Sequence, residues 1–427
     1  MFLYYVRLAA LSYRRNPVLS SLMVMAVAIG VGAYMVVFTL NYVMGGDPIP
    51  HKSDQLYHVQ FEYGDPSVPG FEPPPQLTYR DAVALLDSDQ PYRRTASSKF
   101  IGILEPPGDQ LQPFYVNGRG SSSDFFDMFD IPFRYGNAWD RSADEGQQQV
   151  IVLSEPMNDR LFGGENSVGE TLLIHGLNKW LPTPMFYDVN NGPIGPGEEV
   201  YLPWSLIAGQ ELRRSGNTNC WGPPENSSFE AFLNAECAWV QFWVELPDSQ
   251  AFNNYSDFIN NYSAEQKEFG RMQMPVGQRL YDVNEWMIKN EVQPDETRIL
   301  SALAAMLMAV CLLNTVGLLL AKFLGKSAEI GVRQALGAHR RSLFVQHMIE
   351  AGFIGAIGGV LGIGVAALGL EGIKVLLGNE IPTDWVSLNL PVIGLTILLA
   401  IVSTIIAGLY PIWRACNINP AIHLKTQ

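Results

Sequence analysis

The chain has 427 residues, 48% of them hydrophobic and only 16% charged, with a formal net charge of −14. So apolar a composition excludes a disordered chain, and charge well below the usual quarter of residues sets it apart from ordinary soluble proteins. The acidic balance argues against a nucleic-acid partner, and 4 cysteines are too few for a disulfide scaffold.

The charge is unevenly placed. Residues 1–44 and 301–427 together hold 11 bases and 5 acids, whereas 45–300 holds 17 bases and 37 acids. Basic, apolar ends therefore enclose an acidic centre.

In chain order, residues 1–17 read as a cytoplasmic amphipathic segment carrying Arg7, Arg14 and Arg15. An apolar run at 18–44 follows, with Pro17 placed to start a helix and Gly45-Gly46 to end it. A cleaved signal peptide is the competing reading, but signal cores run to only about 7–15 residues and no small-x-small site precedes the acidic segment. Three further runs, 299–322, 344–370 and 390–410, each approach the ~20 residues that a spanning helix needs. Lys326, Arg333, Arg340 and Arg341 lie in the 323–343 loop, and Arg414 and Lys425 in the 411–427 tail. The positive-inside rule puts these loops and both termini in the cytoplasm, and places 45–298 and the 371–389 loop outside. The predicted fold is a membrane protein of four transmembrane α-helices, with a large α+β extracytoplasmic domain inserted between helices 1 and 2.

Within 45–298, strands are predicted at Leu56–Phe61, Phe100–Leu104, Phe114–Val116, Val150–Leu153, Thr171–Ile174, Val200–Leu202 and Ala238–Glu245. Helices are predicted at Tyr79–Leu86, at Glu155–Leu161 (capped by Ser154 and stopped by Gly163-Gly164) and at Ser249–Asn261. Pro-rich stretches at Glu72–Pro75 and Asn190–Gly197 mark loops. Cys220 and Cys237 share this segment and form a disulfide if the compartment is oxidising; otherwise they are free thiols.

Two interleaved GxxxG pairs, Gly355/Gly359 and Gly358/Gly362, mark the third span as a packing helix, and Ala26/Gly30 and Ala28/Gly32 repeat the pattern in the first. Glu350 sits about one turn into the third span, where an ionisable group is usually functional or paired, unless it reaches the headgroups.

No HExxH, CxxC, GxSxG or GxGxxG occurs, so no catalytic or metal site is expected. Gly325-Lys326-Ser327 looks like the end of a Walker A loop, but Leu320 stands where its first glycine belongs. If this chain works with ATP and Mg²⁺, another chain must bind them.

The most informative stretch is Ser327–Glu350. Ser327 can cap a helix, Glu329 favours its first turn, Ile330, Ala335 and Leu336 fall near one face, and Gly337-Ala338 allows a sharp corner. Here the residues resemble MacB/FtsX-type (type VII) ABC transporter permeases. The likeness lies in Glu329-Ile330-Gly331-Val332-Arg333, then Ala335-Leu336-Gly337-Ala338, then Glu350. Gly408-Leu409-Tyr410-Pro411, Arg414-Ala415 and Asn419-Pro420-Ala421 are similar to the family's ending. Phe125-Phe126-Asp127, Leu161-Phe162-Gly163 and Tyr201-Leu202-Pro203 look like its periplasmic domain. This chain has Lys326-Ser327-Ala328 where the family commonly has a basic-Thr pair.

The resemblance implies a non-catalytic inner-membrane subunit of a mechanotransmitting exporter, acting on a small molecule, peptide or lipid-linked cargo. Glu329, Ile330, Gly331, Arg333, Ala335, Leu336, Gly337 and Ala338 would form the coupling element seated on an ABC ATPase subunit. A second permease copy or paralogue, a periplasmic adaptor and an outer-membrane channel would complete the assembly, with membrane lipid around it. The alternative is an FtsX-like regulator that activates an extracytoplasmic partner such as a cell-wall hydrolase.

Overall fold

The computed structural model describes residues 2–63, 73–108, 111–176, 198–272, 278–290, 295–377 and 390–416. It divides into a helical unit, formed by Met1–Gly46 with Gln293–Gln427, and a sheet unit, Asp47–Val292.

The chain opens with α1 (Phe2–Arg15) and α2 (Pro17–Gly45). The sheet unit then contributes β1 (Leu56–Phe61), β2 (Leu77–Thr78), α3 (Tyr79–Leu86), β3 (Arg94–Glu105), β4 (Phe114–Ser121), α4 (Asp124–Met128), α5 (Arg141–Glu145), β5 (Val152–Leu153) and α6 (Glu155–Phe162). It continues through β6 (Leu173–Gly176), β7 (Val200–Pro203), α7 (Ser205–Gly209), β8 (Asn219–Gly222), α8 (Phe229–Asn234), β9 (Glu236–Glu245), α9 (Ser249–Glu268), β10 (Gln278–Asp282) and α10 (Val283–Lys289). The chain returns to the helical unit with α11 (Asp295–Gly325), α12 (Ser327–Ala335), α13 (Arg340–Leu377) and α14 (Leu390–Cys416).

Four of these helices, α2, α11, α13 and α14, are long and apolar enough to cross a membrane. The fold is four spanning helices with an α+β domain inserted between the first and the second. Pro17 sits at the first helical turn of α2, where its missing N–H costs nothing. α13 runs on through Glu371 and Lys374 to Leu377, and α14 passes through Pro411 to Cys416. The Asn419-Pro420-Ala421 motif and the Asn190–Gly197 loop lie outside the described residues.

The glycines of α13 face two different neighbours. A Cβ on Gly359 would come within 3.0 Å of the Ala400 side chain and 3.2 Å of the Ile397 backbone, and Gly355 abuts Thr404, Ala400 and Ile401, all on α14. A Cβ on Gly358 would lie 2.7 Å from Val27, and one on Gly362 would lie 3.4 Å from the Ala28 carbonyl, both on α2. Gly30 closes the bundle against Cys311 of α11. With no solvent-exclusion force between helices in lipid, such backbone approach and the dispersion it allows hold the bundle together.

Along the main path of the sheet the order is β10-β1-β9-β3-β4-β7-β5; β2 and β8 pair with β9, and β6 with β3. Among the described residues all strand pairs are antiparallel except β4 with β7. β9, reading ECAWVQFWVE, is central and contributes Val240, Phe242 and Val244 to a core shared with Leu85 of α3 and Tyr255 and Ile259 of α9. Thr78 caps α3 through Asp81 N, and Ser154 caps α6 through Met157 N, with left-handed Gly163 (φ 64°) ending that helix. Cys220 and Cys237 lie opposite one another on β8 and β9 and are joined in a disulfide. Asp81, fully buried, accepts from the Tyr63 and Tyr262 hydroxyls at 2.7 Å each and pairs with Arg271 Nη1 at 2.8 Å. Burial and the Asp81 carboxylate push the Tyr262 hydroxyl well above the usual phenol range.

Candidate functional site

α12 joins α11 to α13. Its first residue is Ser327, and Lys326 rather than Ser327 holds the cap position, without a capping side chain. The reason is the direct run from α11: no loop precedes Ser327, so it has already entered the helix. Glu329 and Arg333 pair one turn apart at 2.6 Å along the exposed side.

The far end is a sharply closed corner. Gly337 N–H donates to Gln334 O and Ala338 N–H to Arg333 O, both at 3.0 Å, while Gly337 adopts φ 94°. This is the Schellman arrangement, in which a residue without Cβ turns the chain through the left-handed region. Ile330 is 4% exposed and packs with Leu319, Phe323, Leu343 and Ile412, whereas Leu336 is 83% exposed. The two do not share a face: six residues advance a helix by about 600°, leaving their directions some 120° apart. The rigid corner thus presents one leucine outward from a helix anchored by one isoleucine.

An ionic cluster adjoins the start of α12. Lys322 Nζ lies 2.8 Å from Glu350 Oε1, and Lys326 Nζ lies 3.4 Å from the same oxygen. Ser12 of α1 donates to that oxygen and accepts from Lys326 Nζ at 2.6 Å, while Lys322 also donates to Ser20 of α2 at 3.1 Å. His347 Nδ1 stands 3.2 Å from Glu350 Oε2, with its ring against Phe323. Glu350 is 3% exposed and Lys322 4%. Glu350 does not reach outward to headgroups; it is buried and paired. Its partners were not singled out from the sequence, although the spacings Lys322/Lys326 and His347/Glu350 put each pair on one helix face. Which faces meet is a tertiary matter.

Among the described residues no three His, Cys, Asp or Glu side chains cluster as metal ligands would.

A family model described as a MacB-like periplasmic core domain matches residues 20–253, and one described as an FtsX-like permease C-terminal region matches residues 301–420. The chain belongs to the MacB/FtsX-type permease family. The first match covers α2 and most of the sheet unit; the second covers α11 to α14, with α12 and Glu350 inside it.

Similar proteins include the macrolide export ATP-binding/permease protein MacB of Salmonella typhi, 22% identical over 82% of this chain and 49% of its own length. The pyoverdine export ATP-binding/permease protein PvdT of Pseudomonas fluorescens is 22% identical over 84% of this chain and 50% of its own length. The uncharacterized ABC transporter permease YvrN of Bacillus subtilis is 21% identical over 73% of this chain and 71% of its own length. This MacB/FtsX-type chain spans about half the length of the two ATP-binding/permease relatives.

Proposed function

We propose that this chain is the permease subunit of a mechanotransmitting ABC transporter. ATP and Mg²⁺ bind a separate nucleotide-binding subunit, whose closure moves α12, and the spanning helices pass the motion to the sheet unit. The cargo class is a small molecule, peptide or lipid-linked compound exported from the periplasm, a reading supported by the export named for MacB and PvdT. The observation that carries the proposal is the exposed Leu336 at the hydrogen-bonded corner of a helix whose Ile330 is buried in the bundle. An apolar side chain held rigidly in water suits a pocket on a partner far better than it suits solvent.

Among the described residues the spans offer little to line a hydrophilic pore. Thr315 and Thr404 spend their hydroxyls on the carbonyls of Cys311 and Ala400, and Glu350 is matched by Lys322. Transmission of movement fits such a bundle better than passage of a polar cargo through it.

The assembly is a dimer with a second copy or paralogue. Ile299, Leu303, Met306, Val310 and Leu313 of α11 are all exposed and recur at alternating steps of four and three, the spacing that knobs-into-holes pairing uses. A periplasmic adaptor and an outer-membrane channel complete the export path. The chain resides in a bacterial cytoplasmic membrane with both termini inside. The basic residues of α1 and α12–α13 support that orientation, and so does the Cys220–Cys237 bond, which needs an oxidising compartment for the sheet unit.

The test is capture of partners from mild detergent with a tagged chain. An ABC ATPase should co-purify with the native chain and not with Leu336→Glu at equal membrane insertion; undiminished capture would refute the coupling surface. A captured cell-wall hydrolase in place of an adaptor would move the assignment to a regulator.

A further inference from the structure

We propose that Glu350 is a positioning residue whose carboxylate clamps the root of α12 to α1, α2 and α13, so that displacement of α12 carries these helices with it. The proposal rests on the coupling reading above and adds the element that transmits the stroke.

Lys326 is the last residue before α12, so any pull on that helix reaches it first. Its ammonium holds Ser12 of α1 at 2.6 Å and Glu350 Oε1 of α13 at 3.4 Å. Lys322, one turn earlier on α11, holds the same carboxylate oxygen at 2.8 Å and Ser20 of α2 at 3.1 Å. One oxygen therefore gathers donors from α1 and α11, while the other meets His347. Lys322 and Glu350 are buried, where a lost partner is not readily replaced, so the helices move together or the cluster breaks. Adhesion alone does not require it. Leu319 and Phe323 of α11 and Ala351 and Ile354 of α13 already share one apolar cluster with Met23 of α2 and Ile412 of α14, and a buried ion pair is often no better for stability than apolar side chains of like volume. What charge adds is a fixed register.

The experiment uses the full chain with its co-purifying ATPase in lipid nanodiscs, and amide exchange is compared between nucleotide-free and vanadate-trapped states. In the native complex, α12 and α1 should both change protection on trapping. In Lys322→Leu/Glu350→Leu, which removes both charges of the buried pair together, α12 should still respond while the response of α1 falls about ten-fold, with ATPase capture unchanged. Lys326→Met, which cuts only the link nearest α12 and keeps the buried pair, should lower the α1 response about three-fold and keeps the question answerable if the double variant fails to fold. An undiminished α1 response in either folded variant overturns the proposal. If α12 itself does not respond in the native complex, the coupling reading fails, and the clamp with it.

Discussion

Ile330, in the first half of α12, is 4% exposed, and Leu336, at its C-cap, is 83% exposed. The first anchors and the second presents, and the two can be perturbed separately. A glutamate at 336 places charge where a partner pocket would be dry; truncating a central apolar anchor in such a pocket typically costs 2 kcal/mol or more, about thirty-fold in affinity. Leu336→Glu should therefore lose the ATPase while the chain's own thermal unfolding is unmoved. Ile330→Ala should do the reverse in part, lowering stability by about 2–4 kcal/mol through the cavity it leaves. Pull-down and unfolding scans on both variants check this.

Gly359 faces α14 with the Ala400 side chain 3.0 Å from where its Cβ would be. Gly359→Leu should force α13 from α14 at a cost of about 1–3 kcal/mol or more, since overpacking must displace backbone as well as side chains. Gly364, with open space around it, should accept alanine almost without effect. Thermal unfolding in detergent of the two variants compares a packed glycine with a free one.

The Cys220–Cys237 bond closes a loop of 17 residues in sequence separation. By the chain-entropy account a loop of this size contributes about 3 kcal/mol. Cys220→Ser should lower the unfolding temperature of the sheet unit, and reductant should lower that of the native chain while leaving the variant where it is. A native chain indifferent to reductant would mean that the bond carries no stability.

His58 is fully buried, its ring stacked on Trp286 with centroids 3.4 Å apart and edge-on to Trp243. Burial, aided by Lys289, holds its pKa well below 6.5. A histidine depressed in this way contributes stability that is complete above the unfolded value near 6.5 and is lost as pH falls below it, because the unfolded chain takes up the proton more readily. The native chain should lose stability between about pH 6.5 and 5 more steeply than His58→Phe. Parallel denaturant titrations across that range decide it, and identical slopes would remove His58 as the cause.

Much of this protein could be read from residues in order. Leu56–Phe61 and Tyr79–Leu86 begin and end as expected, and α6 lies between its Ser154 cap and Gly163. β3, β4 and α9 run well beyond the apolar stretches that signalled them, since neighbouring strands and the core recruit polar flanks such as Ser97, Ser98 and Gly120. β2, β8 and β10 gave no sequence signal, being short segments made into strands only by pairing with β9 or β1. At the candidate site the corner at Gly337 is legible, but, contrary to expectation, Leu336 does not share the face of Ile330, and nothing in the sequence marks Lys322 as the partner of Glu350.

Local sequence therefore determined the spans, the caps, the glycine corner and the presence of a charge at Glu350, because each follows from a residue's own backbone preference or its cost in lipid. Only the tertiary structure decided that Gly355 meets α14 while Gly358 meets α2, and that Glu350 gathers Lys322, Lys326, Ser12 and His347. Those pairings depend on how helices far apart in sequence rotate against one another, and that rotation is set by packing across the whole bundle at once.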